Sequence, residues 1–260
     1  VSLLIARALH VAYGTRAVLH GVELALDAGE VLAIVGPNGA GKTSLFRALS
    51  GVLAPSSGEI LLRGRALSSL GRAGIARALA VVPQHVPSAP GFTVREVVAM
   101  GRAPHQDAWL RERPQDVEAV ERALARCDLG AFAAREFDLL SGGERKRVMV
   151  AQALAQSADV LLLDEPSAFL DLRHAVALFG LAREEAARGA GVVAIVHDLS
   201  LAARFCHRVA LLVDGRLVAL GTPDDVLTEA RLEAAFGVPI VRLSDAAAHT
   251  IAFAPGGRSR

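Results

Sequence analysis

The chain has 260 residues, a formal net charge of +1 and a pI of about 8.1, which is room for one large α/β domain, or a core with a smaller lobe, around a sizeable buried interior. Aromatic residues make up only 4% and no lysine- or arginine-rich block stands out, so no nucleic-acid partner is expected. No apolar run approaches the ~18 residues of a membrane span, no secretory leader is read, and Cys127 and Cys206 stand apart without a CxxC spacing, as buried thiols of a reducing compartment do.

Residues 3–13 read as a strand ending at Tyr13-Gly14, and a second strand is read near Val18–Leu26. Asp27-Ala28-Gly29-Glu30 is a turn leading into an apolar strand, Val31–Val35. A helix runs from Lys42 to a C-cap at Gly51, and Pro55-Ser56-Ser57-Gly58 is a turn before a short strand, Glu59–Arg63. Arg72–Leu79 reads as helix and Ala80–Val82 as a short buried strand before Pro83-Gln84.

From Thr93 to about Gln156 the pattern is mostly helical. Thr93 with Glu96 makes a capping box, Pro114 suits a first turn, and Val117, Val120, Leu124 and Cys127 supply an apolar stripe. Buried parallel strands return at Val160–Leu163 and Val192–Val196, with a helix over Leu172–Arg188 between them. Asp214-Gly215 between Val209–Val213 and Arg216–Leu220 is the sequence of a tight hairpin. Together these predict an α/β fold, a mostly parallel sheet with a helical insertion. The core is expected over residues 1–86 and 157–260 and the helical lobe over 87–156.

Between the Val31–Val35 strand and the following helix lies Gly36-Pro37-Asn38-Gly39-Ala40-Gly41-Lys42-Thr43-Ser44. Strand, glycine-rich turn and helix start make a phosphate-binding loop. Glycines let backbone N–H groups approach an anion, and the helix start adds unpaired amides. Lys42 can reach the β- and γ-phosphates as a point charge, and Thr43 can offer its hydroxyl to Mg²⁺; Ser44 is its neighbour.

The Val160–Leu163 strand ends in Asp164-Glu165. Mg²⁺ prefers hard oxygen ligands, a role that suits Asp164. Side chains alternate along a strand, so Glu165 is expected to point elsewhere, where it could polarise or deprotonate a water; taken alone, the pair could equally be a solvated strand end. Ser141, Gly142 and Gly143 open a second helix whose N-terminus suits an anion, though Ser141 by itself reads as an ordinary N-cap.

GPNGAGKT, Gln84, LSGGE, VLLLDEP, Asp171 and His197 occur in an order and spacing that resembles the ATP-binding-cassette (ABC) ATPases, over about residues 3–221. The resemblance implies a P-loop NTPase core with an N-terminal antiparallel β subdomain and an inserted helical subdomain. It implies ATP and Mg²⁺ as ligands, and a head-to-tail pair of chains in which the 141–143 turn of one closes over the ATP of the other. It implies that Tyr13 stacks on adenine, that Gln84 touches Mg²⁺ and links core to lobe, that His197 contacts the γ-phosphate, and that Asp171 acts across the pair. Two departures, Glu144 where Gln is commoner and Ala168 where Ser is usual, remove no phosphate ligand.

A cassette without a membrane span implies a separate integral membrane permease and, indirectly, a substrate-binding protein, with the chain peripheral on the cytoplasmic face of the inner membrane. The alternatives are a soluble ATPase of DNA repair or translation, or a transporter subunit for other cargo. Met100-Gly101-Arg102-Ala103-Pro104-His105 is similar to a segment of ATPases serving iron-siderophore, haem and vitamin B12 importers. Gln84 and residues 97–105 are accordingly expected near the permease surface, with an ordinary exposed arginine as the alternative reading of Arg102.

Overall fold

In the computed structural model, which describes residues 1–106, 112–168, 170–245 and 250–256, alternation along the first strand decides how the chain starts. Leu4 and Ala6, then Leu9 and Val11, are buried along β1 (Ser2–Tyr13), with the phase slipping at Ala8, whose φ is 44°. β2 (Arg16–Asp27) returns antiparallel to it. After β3 (Val31–Val35) and α1 (Lys42–Leu49), β4 (Ser57–Leu62) and β5 (Arg65–Ala66) complete an antiparallel sheet in the order β2-β1-β4-β5. β4 starts at Ser57 rather than Glu59, because Ser57 pairs with His10 across the irregularity in β1.

α2 (Arg72–Ala78) leads into β6 (Leu79–Val82). Then come α3 (Val94–Ala99), α4 (Pro114–Arg126) and α5 (Gly142–Gln156), followed by β7 (Val160–Asp164), α6 (Leu172–Ala187), β8 (Gly191–Ile195), α7 (Leu199–Phe205), β9 (Arg208–Val213) and β10 (Arg216–Gly221). The second sheet has six strands in the order β10-β9-β3-β8-β7-β6, all parallel except β10. At the β9–β10 turn Asp214 and Gly215 both take positive φ, 46° and 72°, as a two-residue hairpin requires.

Every residue of β3, β7 and β8 is buried, and their side chains serve two cores. Val31, Ala33 and Val35 face one core with Leu161, Leu163, α5 and α6; Leu32 and Ile34 face the other with Leu162, Val193, α1 and the antiparallel sheet. Covered on both faces, these strands read as unbroken apolar runs. The helices between β6 and β7 pack into the first core through Val97, Val98, Val120, Leu124 and Val148. Of the stripe expected on α4, Val120, Leu124 and Cys127 are buried, whereas Val117 is 38% exposed and Asp116, Ala119 and Ala123 are buried beside them.

Beyond β10 the chain forms α8 (Pro223–Val226), α9 (Glu229–Phe236) and a ribbon of β11 (Ile240–Asp245) and β12 (Thr250–Pro255), with Phe236, Ile240 and Phe253 packed on the first core. Among the described residues no helix is long and apolar enough to cross a membrane.

Cys127 and Cys206 are both buried free thiols, and burial pushes each up to about 12. A thiol must ionise to react. A disulfide reagent at pH 8 should therefore leave both untouched in the folded chain and label both in denaturant. Prompt labelling of either without denaturant would contradict this packing.

Candidate active site

The 36–41 loop is shaped by two crowded glycines. A Cβ on Gly36 would lie 2.0 Å from the Leu212 carbonyl oxygen of β9, and Gly41 takes φ 99° as the N-cap of α1. No side chain caps α1, so its first amides and the positive end of its dipole are left for an anion. Lys42 folds over the loop, and its Nζ donates to the Gly36 and Pro37 carbonyls at 2.8 Å each. Burial holds its ammonium below the usual lysine range, against the opposing pull of Glu165 and Asp164.

A cavity of about 230 Å³ opens over this loop, lined by Asn38, Gly39, Gly41, Lys42, Thr43, Ser44, Glu165 and His197 together with Val18. Thr43 is exposed to it. Tyr13 stands beside it, 44% exposed, its hydroxyl 3.4 Å from Ser44 Oγ.

Asp164 closes β7 and is 8% exposed. Its Oδ1 is buried with no hydrogen-bond partner among the described residues, and burial together with the Glu165 charge holds its carboxyl above the usual range. At Glu165 the backbone turns to φ 46°, so the direction of this side chain comes from a left-handed residue rather than from continued strand alternation. Both carboxylate oxygens of Glu165 are engaged. Oε2 accepts from Gln84 Nε2 at 2.6 Å, and Oε1 lies 2.6 Å from His197 Nε2, which carries the proton when it donates. The topology explains the meeting: Gln84 follows β6 and His197 follows β8, the two strands that flank β7.

Sequence reading missed Lys146. It is 3% exposed on α5, and its Nζ donates to Pro83 O at 2.7 Å, with Asp164 O at 3.3 Å and Gln84 O at 3.4 Å. Burial pushes the ammonium down to about 8, against Asp164 and Glu165. The signal was spacing: Lys146 shares a helix face with the buried Met149, Val150 and Ala153. Lys146→Met should lower stability by about 1–3 kcal/mol, because buried carbonyls lose their donor. Urea unfolding measures this, and an unchanged midpoint would mean that the contacts contribute nothing.

Other expected positions lie apart from the cavity. Ser141 caps α5: its Oγ accepts from Glu144 N at 3.3 Å, and its N–H and O–H donate to Glu144 Oε2 at 2.8 and 2.7 Å. These bonds, the hydroxyl's first, hold Glu144 below the usual carboxylate range. Asp171 caps α6, accepting from the His174 amide at 2.8 Å. Ser141, Gly142, Gly143 and Asp171 do not line the cavity over their own chain's loop. Phe169 of the 164–171 run lies outside the described residues. Arg102 corrects its expectation: it is 8% exposed, and Val97, Val98 and Gly101 beside it are also buried.

A family model described as ABC transporter matches residues 19–168. The hemin import ATP-binding protein HmuV of Pseudomonas entomophila is 46% identical over 238 residues, 90% of this chain and 92% of that protein. The cobalamin import ATP-binding protein BtuD of Halobacterium salinarum is 42% identical over 243 residues; these are 93% of this chain, which spans 60% of that relative's length. A solved metal-chelate type ABC transporter in an inward-facing conformation is similar with TM-score 0.85 and 25% identity, over 100% of this chain and 99% of that one.

Proposed function

The chain belongs to the ABC transporter family, and on that premise we propose that it is the ATP-hydrolysing subunit of an importer for a metal chelate such as haem or a cobalamin. It works on the cytoplasmic face of the inner membrane beside a separate permease, supplied with cargo by a substrate-binding protein. The observation that carries this reading is the convergence of Lys42, Glu165, Gln84 and His197 at one glycine-rich loop. The cargo class rests on the hemin and cobalamin relatives.

ATP enters as substrate. The loop 36–43 and the first turn of α1 receive its phosphates, and Tyr13 provides a flat face for the base. Lys42 exchanges its two loop carbonyls for phosphate oxygens. The residues present fit Mg²⁺, since the partnerless buried oxygen of Asp164, the Thr43 hydroxyl and the Gln84 amide oxygen are hard donors. When bound, Mg²⁺ would neutralise charge on the β- and γ-phosphates.

Glu165 accepts the proton of the water as its oxygen bonds to the γ-phosphorus and the bond to the bridging oxygen breaks, releasing ADP and phosphate, and His197 holds the carboxylate in place. With both oxygens already engaged, Glu165 is restrained until Gln84 lets go of Oε2. Gln84 moves with the loop leading to the helices between β6 and β7, so the base is freed by motion of that lobe. The phosphate face is completed by Ser141, Gly142 and Gly143 of a second copy, with Asp171 alongside, because these groups stand away from their own chain's cavity.

Reconstitution with the permease in proteoliposomes tests the reading. ATP should drive uptake of haem or a cobalamin. Hydrolysis without uptake of either would overturn the cargo, and no hydrolysis would overturn the enzyme.

A further inference from the structure

Met100 and Ala103 of the Met100–His105 turn are exposed, but Gly101 and Arg102 are buried. The Arg102 guanidinium donates through Nε to Asp116 Oδ1 at 2.8 Å and through Nη1 to Ala155 O at 2.7 Å, with Gln156 O at 3.5 Å. Asp116 is 1% exposed; burial works against its charge, but the bonds from Arg102 and the Arg113 amide prevail and hold its carboxyl below the usual range. His105 Nε2 lies 2.7 Å from the Gln156 carbonyl and donates to it when protonated there. These carbonyls are the last of α5, the negative end of its dipole.

The same spot is tied to the core. Gln156 Nε2 donates to Leu79 O of β6 at 2.8 Å, and Arg77 Nε of α2 donates to Pro104 O at 2.8 Å. The turn is pressed against α5: a Cβ on Gly101 would sit 2.2 Å from Gln152 O. The C-terminal end of α5, the turn and the α2–β6 junction are therefore one joint.

We propose that Arg102, backed by Asp116 and His105, is a positioning clamp that fixes the C-terminal end of α5 and thereby aims Ser141–Gly143, at the other end, toward the phosphates held by a second copy. This rests on the two-copy reading above. A helix of this length spans about 22 Å, so a tilt of about 5° at the pinned end displaces Ser141 by about 2 Å. Binding groups tolerate about 0.5 Å.

The test uses the full chain carrying Glu165→Gln, with ATP-dependent dimerisation followed by sedimentation. Monomer affinity is measured separately with a fluorescent ATP analogue at dilution. Arg102→Met should weaken dimerisation at least tenfold and leave monomer ATP affinity within twofold, with R102K restoring part of the loss and H105A falling between. If R102M does not fold, pairing it with D116L removes the stranded charge, and H105A, which removes only a partly buried ring, decides if that also fails. A folded variant that dimerises like its parent overturns the clamp alone, as does an equal loss of monomer affinity. A parent that stays monomeric with ATP overturns the two-copy reading, and the clamp with it.

Discussion

Glu165→Gln should still bind ATP but hydrolyse it roughly 10²–10⁴-fold more slowly, the range a positioned base contributes. The substitution keeps the side chain's size and removes its negative charge. Lys42 and the loop amides still hold phosphate, and Asp164 keeps its partnerless oxygen. A neutral amide cannot take the water's proton. It also has a single acceptor oxygen where Glu165 offers two, to Gln84 and to His197. One of these contacts therefore turns or breaks. ATP that is bound and not cleaved should hold two chains together. With Mg-ATP the variant should migrate as a dimer in size-exclusion chromatography, and as a monomer without it. Adding Ser141→Arg should abolish the shift. Wild-type turnover removes Glu165 from the role of base, and a monomer at saturating ATP removes the two-copy reading.

Lys42→Ala should cost about 1.5–3 kcal/mol in ATP binding, roughly ten- to a hundredfold, the usual worth of hydrogen bonds to a charged group. Turnover should fall at least as far, since charge grows on the phosphoryl oxygens as the bond breaks. Among the described residues nothing else lining the cavity supplies a fixed positive charge: its other lining residues are neutral or acidic, apart from His197. Lys42 also opposes the negative charge of Asp164 and Glu165, so its loss makes the cavity more repellent to an anion. Equilibrium binding of labelled ATP beside a steady-state assay measures both effects. Parental affinity in the variant would mean that phosphate binds elsewhere.

Much of this site could be read from local chemistry. The phosphate loop follows from three glycines and a lysine between a strand and a helix, and the boxes at Thr93 and Ser141 follow from a carboxylate three residues on. Buried strands announced themselves as apolar runs. What stayed hidden depends on distant partners. Lys146 meets carbonyls 62 and 63 residues away, and Arg102 meets Asp116 and Ala155, 14 and 53 residues away. A lone cation in a sequence reads as solvated until the groups that receive it are known. At the start of α4 the buried place belongs to Asp116 and not to Val117, because an ion pair fills a position that periodicity assigns to a hydrophobe. The segment after β10 lacked long patterns, its helices being of four and eight residues.

The strand that enters the phosphate loop and the strand that ends in the two acids are not neighbours. β8 lies between β3 and β7. Ordinary strand spacing puts β3 and β7 about 10 Å apart. The sheet thus acts as a ruler, and its width is set by backbone hydrogen bonding rather than by any side chain at the site. The acids are kept from collapsing onto the amides that should receive phosphate, so opposite charges stay unneutralised across a fixed gap. The intervening strand spends its own end, His197, inside that gap. Side-chain substitutions at the rim can change what fills the interval, but only a change in strand order could change its length.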